Sequence, residues 1–157
     1  FKQAQKEGKK ISPVEVSAIV SNVLSNREVE DNLKMMMQNG SVVRYLSADI
    51  TNKEDVIKAA KSLRNEFGSI HGIVHAAGVL ADKYIIDKSE EQFNKVFNTK
   101  INGFINMLEA TKQDKLTHIC CFSSVAARLG NIGQVDYSMA NEILNKVCTA
   151  EQPSSLD

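Results

Sequence analysis

The stretch SSVAARLGNIGQVDYSMANE, residues 123–142, sets side chains of three chemical kinds close together in the chain. Ser124 offers a hydroxyl, Tyr137 a phenol thirteen residues later, and Asn141 an amide four residues beyond that. Such a set can do acid–base work on a bound group if a cation tunes the phenol, yet the stretch itself contains no lysine. The alternative is a serine capping a turn and a half-buried tyrosine at the start of a helix.

Three features bear on that choice. On a helix, residues four apart are neighbours, so Tyr137 and Asn141 can face one pocket. Gly130 and Gly133 let the chain double back between Ser124 and Tyr137, so the two hydroxyls can converge. Lys100, flanked by Thr99 and Ile101, is a lone basic residue in the middle of a long apolar-striped helical pattern. A single cation among apolar neighbours calls for a reason.

The elements that must position these residues can be read along the chain. Ser12-Pro13-Val14-Glu15 combines a capping serine, a proline at the first helical position and a glutamate that can reach back to the cap, so a helix is expected to start there. A second helix is expected from about Asn26 to Asn39, stopped by Gly40, with one or two of Met35, Met36 and Met37 packed in a core. Val42 to Leu46 reads as a short strand leading to Asp49. Thr51-Asn52-Lys53-Glu54 reads as a capping box, and Val56, Ala59, Ala60, Leu63 and Phe67 then fall on one helical face.

Gly72 to His75 reads as the next strand. It ends in Ala76-Ala77-Gly78, residues too small to keep a ligand or another segment away from the backbone. Ser89-Glu90-Glu91-Gln92 opens a long helix striped by Phe93, Val96, Phe97, Ile101, Phe104, Ile105 and Leu108, with Lys100 inside it. Leu116 to Phe122 is expected to form a third strand covered on both faces, and a last helix is expected from about Val135 to Cys148.

Strand and helix thus alternate three times, which is the pattern of a doubly wound α/β fold with a parallel sheet. Ligands of such sheets bind beyond the carboxyl ends of the strands. Asp49, Ala76-Ala77-Gly78 and Ser123-Ser124 all fall at those ends and predict a common site.

The 157 residues are 43% apolar and 24% charged, enough for one globular domain with a core. Basic and acidic residues number 19 each, so no net charge draws the whole chain to nucleic acid or to an anionic membrane. No apolar run is long enough for a membrane span, and no signal-peptide pattern opens the chain. Three cysteines, two of them adjacent, are expected to be reduced packing residues in a cytoplasmic protein. The chain begins at Phe1 and is expected to be part of something longer.

The segments Ile73 to Leu80, Lys100-Ile101-Asn102-Gly103, Phe122 to Ala126 and Gly133 to Asn141 resemble the ketoreductase domains of modular polyketide and polyunsaturated fatty acid synthases. These domains belong to the short-chain dehydrogenase/reductase superfamily. The resemblance covers residues 42–148, and residues 12–39 more weakly resemble the polyunsaturated fatty acid synthase branch. It implies a Rossmann-like domain over residues 41–157, incomplete at both ends, preceded by a helical lead-in over residues 1–40. It also accounts for the missing lysine. Most members of the superfamily carry a lysine four residues after the tyrosine and an asparagine in the preceding long helix, and the synthase ketoreductases exchange the two. Lys100 and Asn141 match the exchanged arrangement.

What the resemblance implies about roles is specific. Tyr137 would donate a proton to a substrate carbonyl while NADPH supplies hydride. Lys100 would make that proton easier to lose and would touch the cofactor ribose. Ser124 would stabilise charge on the carbonyl oxygen, and Asn141 would hold Lys100 or a relay water. Ala76, Ala77 and Gly78 would form the turn beneath the cofactor and Asp49 would meet its adenine ring, although a turn role is open to Asp49 too. His75 is expected to be a packed strand-end residue. Asp82, in Leu80-Ala81-Asp82, would direct formation of the D-hydroxy product.

The implied reaction reduces a β-ketoacyl group carried on an acyl carrier protein, with neighbouring synthase domains as partners. No metal, nucleic acid or membrane is implied. The alternative is a catalytically inactive subdomain that only scaffolds its neighbours.

Overall fold

The computed structural model describes residues 12–150. The chain divides between Tyr45 and Leu46 into two compact units.

The first unit is dominated by one helix, α1 (Pro13–Gln38). Ser12 Oγ accepts the Glu15 N–H at 3.3 Å and the Glu15 carboxylate accepts the Ser12 N–H at 2.7 Å, so the expected cap forms. Two helices were expected here and one is found. Ser25 and Asn26 only mildly disfavour a helix interior, and no glycine or proline separates the halves. The methionines do not pack as expected: Met35, Met36 and Met37 are all about half exposed, and α1 buries no residue. Its apolar residues are spread around the helix rather than gathered in one stripe.

Val42 to Leu46 does not form a strand. A strand needs a neighbouring strand to take up its N–H and C=O groups, and among the described residues no strand forms a ladder with this segment. β-Propensity alone reflects fit to a pleated, half-buried surface, and Val42 and Tyr45 are instead largely exposed.

The second unit alternates helix and strand: α2 (Lys53–Phe67), β1 (Gly72–His75), α3 (Glu90–Thr111), β2 (His118–Cys121), α4 (Ala126–Leu129) and α5 (Val135–Ala150). The fold is α/β with a parallel sheet, as the alternation predicted, but among the described residues the sheet has two strands rather than three. β1 and β2 run parallel in the register Gly72↔His118 to His75↔Cys121, and α3 makes the connection between them.

The cap of α2 is Asn52, not Thr51. Asn52 Oδ1 accepts the N–H groups of Glu54 at 3.0 Å and Asp55 at 3.3 Å. At α3, Ser89 and Gln92 form the expected reciprocal capping box. α3 then buries Val96, Lys100, Gly103, Phe104, Asn106, Ala110 and Thr111 along one side. With Ile73, Ala140 and Leu144 these make the core. Burying side chains such as Val96, Phe104 and Leu144 stabilises the fold by about 1.5–3 kcal/mol each.

Two tethers fix the periphery. Gly103 lets Ile50 lie against α3, and Asn106 Nδ2 donates to the Ile50 carbonyl at 3.0 Å, which anchors the turn carrying Asp49. Asp114 receives Arg64 Nη2 at 2.7 Å and Arg64 Nε at 2.9 Å, joining α2 to the α3–β2 turn.

The expected double cover of the third predicted strand is not found. Ile73 and His75 face the covered side of the sheet, while Val74 is 61% and Ile119 40% exposed, and Cys120 is exposed as well. The apolar run at β2 is therefore only partly shielded by the helices of the described residues.

Candidate active site

Lys100 reaches the site because α3 carries it on the core-facing side, and its residue is 4% exposed. Its Nζ donates to the Phe122 carbonyl at 2.8 Å, just beyond the end of β2. An ammonium has three protons, so two remain for other partners. Burial holds the Lys100 pKa below its ordinary value. The same nitrogen lies 5.7 Å from the centroid of the Tyr137 ring on α5.

These two side chains share a cavity of about 340 Å³ with Ala76, Gly78, Val79, Leu80, Phe122 and Ser123. The cavity lies beyond the carboxyl ends of β1 and β2, where ligands of parallel sheets bind. Gly78 keeps the approach to Lys100 open, since a Cβ at this position would sit 3.3 Å from Lys100 Cε.

His75 closes the site from behind. It is 1% exposed, its Nε2 lies 2.9 Å from the Lys100 carbonyl oxygen, and its ring stacks obliquely on Phe104 at 5.7 Å. Burial lowers its pKa, while the bond to the Lys100 backbone works the other way. This neutral, packed strand-end histidine is the role expected for it. It fixes the backbone of Lys100.

The two serines at the end of β2 differ in what their protons do. Ser123 Oγ donates to the Asn141 carbonyl at 3.2 Å, so its proton is engaged. Ser124 Oγ accepts the Ala126 N–H at 3.2 Å, which leaves its own proton free to be donated. Ser123 lines the cavity; Ser124, half-buried, is not among its lining residues and sits just before the start of α4.

Asn141 is fully buried, and its amide donates to the Tyr137 carbonyl at 2.8 Å, one turn back on α5. Its Oδ1 has no partner among the described residues. Lys100 is thus anchored by Phe122 and His75, with Asn141 behind Tyr137.

Other expected site residues lie apart from this cavity. Ala77 is half-buried and does not line it. Asp49 Oδ1 accepts the N–H of Thr51 at 2.9 Å and its hydroxyl at 2.7 Å, bonds that hold its carboxyl below the usual range. Asp49 thereby makes a turn, and it lines a polar depression with Thr51, Glu91, Asn94, Lys95 and Asn98. Asp82 Oδ2 accepts from Gln134 Nε2 at 2.9 Å and lines a groove with Lys83, Tyr84, Asp87, Ile132 and Gly133.

Sequence reasoning placed Ser123 at the site but missed Phe122 as an anchor and the buried pair Lys88 and Asp136, 2.7 Å apart. A backbone carbonyl carries no signal in residue type, and the pair is separated by 48 positions. Asp136 alone had a visible cue, an acid in the first turn of a helix just before Tyr137.

The cavity fits a nicotinamide group. A small-residue edge at Ala76 and Gly78 faces a buried ammonium with two uncommitted protons, beside a tyrosine. Among the described residues no helix is long and apolar enough to cross a membrane, and no group of three metal-ligating side chains occurs.

Residues 15–156 match the family described as KR domain. One subunit of the polyunsaturated fatty acid synthase of Thraustochytrium sp. is 39% identical over 142 residues, which cover 90% of this chain and 5% of that protein. Polyketide synthase PksL of Bacillus subtilis is 37% identical over 113 residues, covering 72% of this chain and 2% of that protein. Among solved structures, an N-terminal ketoreductase from the macrolactin assembly line superposes with a TM-score of 0.75 at 31% identity, over 79% of this chain and 26% of that one. The chain therefore spans only a small part of the relatives it matches.

Proposed function

The chain belongs to the KR domain family, and from that premise we propose that it carries the catalytic part of a ketoreductase that uses NADPH to reduce a β-ketoacyl thioester on an acyl carrier protein. The observation that carries this reading is the meeting of Lys100 and Tyr137, from two different helices, in one cavity. A scaffold has no need of that arrangement.

When bound, the nicotinamide supplies hydride to the carbonyl carbon. Tyr137 gives its phenolic proton to the carbonyl oxygen. The Lys100 ammonium, beside that ring, stabilises the negative charge left on the phenol oxygen and has two protons for a ribose hydroxyl. Ser124, with its proton uncommitted, is the hydroxyl suited to the developing charge on the substrate oxygen. The unpartnered Asn141 Oδ1 suits a relay water behind Tyr137.

Ala76, Ala77 and Gly78 form the small-residue turn under the cofactor, and the depression at Asp49 takes its adenine end. Asp82 guides the substrate toward the D-3-hydroxyacyl product from the groove it lines. Other domains of a synthase are the partners, and a cytoplasmic setting suits three free thiols.

The test is turnover of a β-ketoacyl thioester by the full-length protein, followed by nicotinamide absorbance. NADPH should be consumed and a D-3-hydroxyacyl product released, with Tyr137→Phe slower by about 10²-fold or more. No turnover by a folded protein that binds NADPH would leave the scaffold reading in its place.

A further inference from the structure

The segment between β1 and α3 is tied to the segment before Tyr137 at three points. The Lys83 N–H donates to the Gly133 carbonyl at 3.0 Å, Gln134 Nε2 donates to Asp82 Oδ2 at 2.9 Å, and Lys88 Nζ donates to Asp136 Oδ2 at 2.7 Å. Only the third tie is an ion pair, and it is buried, with side chains 3% and 2% exposed. Lys88 Nζ also donates to the Ala81 carbonyl at 2.7 Å. Asp136 uses its other oxygen, Oδ1, to accept the backbone N–H of Tyr137 at 2.9 Å. One carboxylate thus joins a buried ammonium to the backbone of the proposed proton donor.

We propose that Lys88 and Asp136 are positioning residues for Tyr137, a buried ion pair that fixes where α5 begins and so where the phenol stands in the cavity. The proposal rests on Tyr137 acting as proton donor. It deepens that reading by naming the groups that hold the donor in register with Lys100.

Buried ion pairs often add little to stability, and apolar residues of similar size can replace them without loss. Placement is a different matter. A reacting group displaced by about 1 Å can lose about 10²-fold in rate. Both charges therefore have a use in this fold that stability does not require.

The test is Lys88→Met combined with Asp136→Leu in the full-length protein, since either change alone would strand a buried charge. Thermal midpoint and cofactor affinity should stay near those of the parent, while kcat falls by about 10- to 100-fold with KM within about twofold. Lys88→Arg, which keeps the charge, should retain most of kcat. A folded double variant with parental kcat would overturn the proposal.

A second readout is independent of turnover. With tyrosine labelled at the ζ-carbon, the Tyr137 resonance, identified by its loss in Tyr137→Phe, should move in the double variant and return in Lys88→Arg. An unmoved resonance would overturn the positioning role even where no reduction is found, and a moved one would support it there.

Discussion

Lys100 Nζ stands 5.7 Å from the centre of the Tyr137 ring while bonded to the Phe122 carbonyl at 2.8 Å. The cation that the 123–142 stretch lacks therefore arrives from α3, brought in by the core-facing side of that helix. His75 fixes the Lys100 backbone and Phe122 fixes its ammonium, so both ends of the side chain are held.

Gly103 sets how close the Asp49 turn comes to α3. A Cβ there would lie 3.0 Å from Ile50 Cγ1, so Gly103→Ala must push Ile50 away. Crowding costs about 1–3 kcal/mol, against about 1 kcal/mol gained in helix propensity, so the variant should lose about 1 kcal/mol. Urea unfolding checks this; a more stable variant would contradict the close approach.

Asp114 gives stability a definite acid dependence. Hydrogen bonds from Arg64 hold its carboxyl below the ordinary carboxylate range. A carboxylate with a depressed native pKa stabilises fully above its unfolded value, near pH ~4, and that contribution is lost as pH falls through the native value. Unfolding free energies of the parent and Asp114→Asn should therefore differ at neutral pH and converge in acid. Curves that stay parallel down to the lowest pH would refute the linkage.

The adjacent cysteines should react unequally. Burial pushes the Cys121 thiol up to about 12, aided by its hydrogen bond with Cys148, whereas Cys120 is exposed on the open face of the sheet. Thiolate is the reactive form, so iodoacetamide at neutral pH should label Cys120 before Cys121 in the native protein. Fragment-ion mass spectrometry separates the two sites, and preferential labelling of Cys121 would contradict the packing around Lys100.

Much of the fold was legible because α3 and its cap are local. Ser89 and Gln92 announce the start of the helix, and the apolar spacing announces the buried side. The parallel pair β1 and β2 was legible for the same reason, as short apolar runs between turn residues. Val42 to Leu46 misled because its composition suits a strand, while strand formation depends on a partner elsewhere. Asn52 displaced Thr51 as cap because both are good cap formers one residue apart, and only the backbone decides between them.

Residue types and spacing pointed to Lys100 and Tyr137, which line one cavity, and to Asn141, which is buried behind Tyr137 and does not line it. The contacts that hold them were not legible. Phe122 acts through its carbonyl, and Lys88 meets Asp136 only after the chain has folded.

The central claim is that Lys100 and Tyr137 work as one unit although they come from different helices. The direct measurement is a double-mutant cycle on kcat for a β-ketoacyl thioester, using Lys100→Met, Tyr137→Phe and the pair together in the full-length protein. Groups acting as a unit are strongly non-additive, so the double variant should be no slower than the worse single variant. If the two losses multiply instead, the residues act independently and the account of the site is wrong.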